Sequence, residues 1–136
     1  MDEYPRVVQK QKRDWWKRGR AFDLWSIPHF LFGVFTAMVP GLTGVSLFSA
    51  FILTIALALL WELYEKIIGI RERTLNSVAD VVLPILAFTG TSFALRAFPL
   101  HPQTLLVVAI AVFLIYLFTN ISGWLAYRRR NHDFIH

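Results

Sequence analysis

Cysteine is absent from the 136 residues of this chain, and charged residues are scarce. The absence of cysteine excludes a disulfide scaffold, a thiolate metal site and a cysteine nucleophile. Charged residues make up 17% of the chain, against about a quarter in an ordinary soluble domain. Hydrophobic residues reach 56%, and the mean hydropathy is +0.50. This composition excludes an ordinary soluble domain, and the length predicts one domain.

Several catalytic motifs are also missing. The sequence contains no glycine-rich phosphate loop of the Walker or dinucleotide type, no G-x-S-x-G nucleophile elbow and no H-E-x-x-H zinc motif. It also contains no pair of histidines spaced to bind haem across a bilayer. We therefore expect neither a haem nor a nucleotide cofactor.

Four long apolar segments account for most of the chain. A transmembrane helix needs roughly 20 predominantly apolar residues, and turn-forming residues or a short charged loop separate the segments. We therefore predict an all-α, polytopic membrane protein whose transmembrane domain, residues 22–127, is a four-helix bundle. The predicted spans cover about 22–39, 45–68, 76–98 and 104–127.

Two basic segments flank this domain. In residues 1–21, apolar and aromatic residues recur on one helical face, which predicts an amphipathic helix lying on the membrane surface. Beside a membrane span, anionic phospholipid is a better partner for its Lys and Arg residues than nucleic acid. We do not expect a cleavable signal peptide, because the segment lacks an apolar core. Residues 128–136 form a basic tail.

Basic residues are distributed unevenly between the two ends of the predicted bundle. With four spans, the N-terminal segment, the loop 69–75 and the C-terminal tail share one side. Together with Lys66, they hold 13 of the 14 Lys and Arg residues, and Arg96 lies on the other side. The positive-inside rule therefore predicts that both termini are cytoplasmic.

Acidic residues within the spans are concentrated near the predicted cytoplasmic ends. Helical spacing places Glu62 and Glu65 on one face of the second span and Asp80 on one face of the third. The loop 69–75 is too short to separate these two spans, so their polar faces should meet. A rise of 1.5 Å per residue places His29 in the same layer, roughly 5–10 Å below the surface. We therefore predict one cluster of these four residues.

This cluster is the candidate functional site. Carboxyl groups inside a membrane are expensive unless they are protonated, paired with cations or bound to a metal ion. Carboxylate oxygens with one imidazole nitrogen suit Mg²⁺, Mn²⁺ or Zn²⁺, so a divalent ion is the candidate cofactor. Polar residues expected to support the layer are Asn76, Asn120 and Asp23. Candidates for pairing with the carboxylates, or for holding a phosphate, are Lys66, Arg71 and Arg73.

A structural interpretation of the same residues competes with the metal site. Glu65 could extend to water and pair with nearby basic residues at the membrane interface. Asn76 could cap the third helix, and Asp80 could interact with the dipole of that helix. His29 could hydrogen-bond between helices. The sequence alone leaves both interpretations open.

The order of these motifs resembles that in small bacterial membrane proteins of the VanZ-like and YjdF-type families. The resembling pieces cover about residues 23–90 and are Asp23-x5-His29-x3-Gly33, Trp61-Glu62-x2-Glu65 and Asn76-x3-Asp80. The Gln that follows the acidic pair in VanZ-like proteins is not matched, nor is a Gly after Asp80. The resemblance implies a multi-pass protein of the bacterial inner membrane with a role in the envelope. It implies no particular reaction.

Three classes of function follow. The first is a binding or structural module, as an accessory subunit of a larger membrane complex or as a homo-oligomer, because nothing in so short a chain requires chemistry. The second is a divalent-metal-dependent enzyme acting on a lipid or isoprenoid phosphate, in which the ion activates water or polarises the phosphate. The third is a proton or cation conductor that uses the same carboxyl groups. We rank them in this order.

Overall fold

The computed structural model describes residue 16, residues 22–70 and residues 73–133. Within these ranges the structure is all-helical, without strands, and all four helices are long and apolar enough to cross a membrane. This confirms the predicted fold class, and the arrangement is that of a multi-pass membrane protein. The helices are α1 (Ser26–Thr43), α2 (Leu47–Ile67), α3 (Thr74–Ala97) and α4 (Pro102–Asp133).

Two predictions fall on residues outside the described ranges. The surface helix predicted over residues 1–21 is represented only by Trp16. Arg71, a candidate for pairing with the carboxylates, is also outside the described residues. Both remain predictions.

α1 lies about four residues later than the predicted first span. Pro28 falls in its first turn, where the missing N–H is tolerated. We predicted that the first span ends at residue 39, before Pro40, and this was wrong, because Pro40 lies inside α1. The helix ends at Gly44, which has φ 77° and whose N–H donates to Pro40 O at 2.9 Å. Glycine adopts this left-handed conformation without strain, so it terminates the helix where proline does not.

The other helix boundaries also have local causes. The Ser46 hydroxyl caps α2 by accepting a hydrogen bond from Ser49 N at 3.0 Å. Gly69, with φ 84°, turns the chain after α2. α4 continues past the predicted end of the fourth span at Tyr127, because arginine is a good helix former and no Gly or Pro interrupts residues 128–133.

α1 is the central helix of the bundle. It packs against α2, α3 and α4, whereas in the described part of the chain α4 packs closely against α1 alone. α2 and α3 pack against each other next to their connecting loop, as predicted. We call the end of the bundle with this loop the proximal end, and the end with the α1–α2 and α3–α4 turns the distal end.

Small and polar residues occupy the helix interfaces, and large apolar side chains point outward. Buried positions include Ala37, Ala50, Ala58, Ala87 and Ala109, which let the helices approach closely. Most Leu, Ile, Val and Phe side chains of the spans are exposed. This distribution suits a surface that is covered by lipid chains.

Candidate metal-binding site

Three helices each contribute one buried side chain to a single cluster. His29 of α1, Glu62 of α2 and Asp80 of α3 each offer one ligand atom, and these atoms lie within 4.8 Å of one another. His29 Nε2 is 3.6 Å from Asp80 Oδ2. The exposed fraction is 9% for His29, 6% for Glu62 and 0% for Asp80. We call these three residues the triad, and they are three of the four residues that we predicted to cluster.

A close contact between α1 and α3 positions His29 beside Asp80. The two helices run in the same direction, and Gly33 and Pro84 lie one helical turn after His29 and Asp80, respectively. A Cβ atom at residue 33 would overlap the Pro84 carbonyl group. Only glycine therefore allows the two backbones to come this close, and the side chains one turn earlier meet as a consequence.

A pair of threonines positions α2 against α1. Thr54 Oγ1 lies 2.9 Å from Thr36 Oγ1 and donates to Ala50 O at 2.7 Å. Thr54 is fully buried. The pair lies about two turns from the triad along both antiparallel helices. It therefore sets the register that brings Glu62 towards His29.

Glu65 is buried but does not join the triad. It is 1% exposed, and none of its oxygens belongs to the group of mutually close ligand atoms. The low exposure contradicts the alternative in which Glu65 extends to water. Glu65 lies three residues nearer the end of α2 than Glu62, so it shares the face of Glu62 but not its depth.

Asn76 and Asp23 form a supporting layer on the proximal side of the triad. Asn76 Nδ2 donates to Asp23 Oδ2 at 3.3 Å, and Asp23 Oδ1 accepts a hydrogen bond from Trp25 N at 2.8 Å. Asp23 therefore ties the start of α1 to the start of α3. The alternative that Asn76 caps α3 is wrong, because the N-cap residue is Arg73 and Asn76 is fully buried in the first turn.

The remaining predicted residues are not part of the triad. Asn120 donates through Nδ2 to Tyr116 O of its own helix at 2.9 Å. Lys66 and Arg73 are exposed, and neither forms an ion pair with any described residue. The predicted counter-ion role of these two residues is therefore not what the structure shows.

An aromatic cluster lies at the proximal end, and the sequence pattern did not predict it. Trp25 is 3% exposed, and its ring meets those of Trp16 and Trp124 edge-on, with centroids 5.2 and 6.1 Å apart. Trp124 also meets Trp61 of α2 at 6.2 Å. At Gly123, a Cβ atom would lie 2.8 Å from the Trp25 ring. The signal in the sequence was this glycine, which leaves room for an indole ring in the interface with α1.

A cleft of about 260 Å³ lies between α2 and α4, and residues of α1 also line it. His29 and Trp25 line it from α1, Trp61 from α2, and Tyr116 and Asn120 from α4. It exists because α4 packs closely on α1 and leaves a gap towards α2. His29 therefore belongs to both the triad and the cleft, so a molecule in the cleft would contact the imidazole that faces the carboxylates.

The comparisons with known proteins give no match: none with any protein-family model, none with a curated protein and none with a solved structure. The resemblance in motif order to VanZ-like and YjdF-type proteins stays a hypothesis that rests on the sequence.

Proposed function

We propose that this chain is a small membrane module that binds one divalent metal ion between α1, α2 and α3, with His29, Glu62 and Asp80 as ligands. The observation that carries the proposal is the convergence of one imidazole and two carboxylates, from three different helices, within 4.8 Å of one another in a buried layer. Ionisable residues inside a membrane bundle usually mark a functional site.

The geometry suits a small ion that accepts mixed nitrogen and oxygen ligands. In a tetrahedral site with bonds of about 2.0–2.1 Å, neighbouring ligand atoms are about 3.4 Å apart. The 3.6 Å separation of His29 Nε2 and Asp80 Oδ2 is close to that value. Glu62 has three rotatable side-chain bonds, so its carboxylate can turn towards an ion held by His29 and Asp80. The imidazole favours Zn²⁺ or Mn²⁺ over Mg²⁺, which prefers oxygen ligands alone.

The charge of the donor set suits a divalent ion. Two ionised carboxylates carry a charge of −2, and a divalent cation neutralises both at once. Carboxylate oxygens and an imidazole nitrogen are donors that such an ion binds. The triad therefore has a donor set that fits a divalent ion.

The cleft favours a second candidate, a metal-dependent enzyme acting on a lipid phosphate. His29 faces the cleft, and the cleft lies between helices whose outer surfaces are apolar. A lipid headgroup could therefore approach the triad from the bilayer, where an ion would polarise a phosphate oxygen. Tyr116 and Asn120 would supply polar contacts to that headgroup.

A conducting pathway has less support. Beyond the threonine pair, the interface of α1, α2 and α3 is filled by an apolar cluster of Ala37, Ala50 and Phe88, with Phe51 packed against it. A proton or cation path would need polar groups or water at this level. We therefore place this function last.

We also propose that the membrane is the bacterial inner membrane, that both termini are cytoplasmic and that the chain is VanZ-like. The motif order supports the family and the membrane. The concentration of 13 of the 14 Lys and Arg residues at the proximal end supports the orientation. The triad would then lie near the cytoplasmic surface.

Metal binding is tested on the full chain purified in detergent. After treatment with a chelator, the protein is titrated with Zn²⁺, Mn²⁺ or Mg²⁺, and bound metal per chain is measured by elemental analysis. Loss of a residue that only supports a metal ligand weakens binding roughly 10–100-fold. We expect a larger loss for each ligand variant, namely His29→Gln, Glu62→Gln and Asp80→Asn. Glu65→Gln is the matched control, because it neutralises a buried carboxylate outside the triad. Binding by Asp80→Asn equal to that of the natural sequence would disprove the site.

A further inference from the structure

A groove runs between α2 and α3 at the distal end of the bundle, far from the triad. Its volume is about 540 Å³, within the range of small-molecule sites. Phe48 and Phe93 form its two walls and are 73% and 74% exposed. Phe51 and Phe88 lie between them, with ring centroids 5.5 Å apart. The groove is therefore a long aromatic slot that opens towards the bilayer.

Arg96 lies at the distal rim of this slot, where a second basin begins. The basin has a volume of about 340 Å³, and its lining includes Pro40 of α1 and Pro99 of the α3–α4 turn. Both cavities are lined by Leu47, Ser92 and Arg96, so they are adjacent. The slot is largely apolar, and the charged side chain of Arg96 lies where the slot meets the basin.

Arg96 forms no ion pair within the part of the chain that the structure describes, and the sequence places no acidic residue near it. The sequence contains no Asp or Glu between Asp23 and Glu62 or between Asp80 and Asp133. Asp80 lies on the same helix at a distance of about 24 Å, from a rise of 1.5 Å per residue. Among the described residues, no carboxylate forms an ion pair with Arg96. The positive charge at the distal end is exposed and is therefore open to an anionic partner from outside the chain.

Ser92 adds a polar group to the same junction. It lies one helical turn before Arg96 on the same face of α3. Its hydroxyl oxygen is shielded from solvent and forms no hydrogen bond with any described residue. A buried hydroxyl is nearly always hydrogen-bonded, so a ligand here would carry an acceptor next to the guanidinium.

We propose that this groove binds one anionic phospholipid of the leaflet that faces the distal end. An acyl chain lies along the slot between Phe48 and Phe93, and the phosphate lies at Arg96, within reach of the Ser92 hydroxyl. The alternative occupant, a second copy of the chain in the same orientation, is disfavoured by charge. The described residues at the distal end of that copy would offer no carboxylate to Arg96, because none of them is acidic. This inference is independent of the proposed metal site.

The test uses the natural absence of cysteine. Phe98→Cys places a single thiol on an exposed position just beyond Arg96 and outside the lining of the slot, and a bimane label there reports on the distal end alone. The full chain is reconstituted into nanodiscs that contain doxyl-labelled phosphatidylglycerol or doxyl-labelled phosphatidylcholine. Quenching of the bimane fluorescence is measured against the mole fraction of each lipid.

Phosphatidylglycerol should quench at a mole fraction about fivefold lower than phosphatidylcholine, the preference expected for one basic residue near a bilayer surface. Arg96→Gln should remove this difference, and Arg96→Lys should retain part of it. Arg128→Gln is the matched control at the proximal end and should change nothing. Thr89→Trp fills the slot without changing charge and should weaken quenching by both lipids.

Three results would overturn the proposal. The first is equal quenching by the two lipids with the natural sequence. The second is a preference for phosphatidylglycerol that survives Arg96→Gln. The third is energy transfer between labelled copies that rises with the number of copies per disc while lipid quenching stays weak, which would identify a second copy as the occupant.

Discussion

Gly33 and Pro84 make a close backbone contact between α1 and α3, and this contact lies one helical turn beyond His29 and Asp80. A side chain at residue 33 would have to overlap the Pro84 carbonyl group or push the helices apart. Gly33 is therefore a positioning residue for the triad, although it offers no ligand atom itself.

Gly33→Ala should destabilise the protein and weaken metal binding together. Overpacking of a close interface typically costs about 1–3 kcal/mol, and separation of α1 from α3 moves His29 away from Asp80. Thermal unfolding in detergent and metal titration measure the two effects. Gly90→Ala in α3 is the control, because a Cβ atom there would meet nothing within 4 Å. If Gly33→Ala retains both stability and affinity, the contact does not position the triad.

Glu62 and Asp80 should behave as one unit in a double-mutant cycle. Glu62→Gln and Asp80→Asn should each destabilise the protein, and the double variant should cost less than their sum. The expected coupling is about 0.5–3 kcal/mol, as for residues in contact. Unfolding in detergent is measured with and without added Zn²⁺ or Mn²⁺.

The metal dependence of that cycle separates a binding site from a purely structural network. Coupling that grows when metal is added supports the ion, whereas coupling that is the same with and without metal would leave the triad structural. As a control pair, Asp80→Asn combined with Thr43→Ala should be additive within about 0.5 kcal/mol, since Thr43 lies at the distal end of α1 and its hydroxyl bonds only to the nearby backbone, at Val39 O and Val45 N.

The helices could be predicted from composition, but their ends could not. A membrane-spanning helix is recognised from its average hydropathy, so four apolar stretches were enough to predict four helices. Pro40 misled the prediction because proline usually ends a helix, whereas here the chain continues for one more turn to Gly44. The end of a helix depends on one or two residues and on what packs against them.

The candidate site could also be predicted only in part. Counting helical faces placed Glu62 and Asp80 on surfaces that do meet, because a short loop forces α2 and α3 together. Face counting could not separate Glu65 from Glu62, since both lie on one stripe and only the packing against α1 decides which of them meets His29. The role of Gly33 was also hidden, because a close contact depends on two helices and the sequence describes one at a time.

The hydroxyl pair of Thr36 and Thr54 should contribute to the register of α1 and α2. Thr54→Val keeps the shape but removes the hydroxyl that meets Thr36, and we expect a loss of about 0.6 kcal/mol, the average for hydrogen bonds between transmembrane helices. Thr89→Val is the matched control, because the Thr89 hydroxyl bonds only to Ile85 O of its own helix and is exposed. Equal effects of the two changes would show that the pair does not hold the helices together.

The orientation of the bundle is tested with reporters. A reporter that is active only in the periplasm should be silent when fused after His136, and one fused into the α1–α2 turn near Val45 should be active. The reason is the concentration of basic residues at the proximal end. Activity after His136 would contradict the proposed orientation.

Gly123→Ala should destabilise the protein without weakening the metal site. A Cβ atom at residue 123 would lie 2.8 Å from the Trp25 ring, so the ring must move and the contact between α1 and α4 must loosen. The expected loss is about 1–3 kcal/mol, with a change in tryptophan fluorescence because Trp25 lies between two other indole rings. Metal affinity of the folded protein should be unchanged, since α4 supplies no ligand. A parallel loss of affinity would mean that α4 and the cleft belong to the binding site, which would favour the enzyme over the binding module.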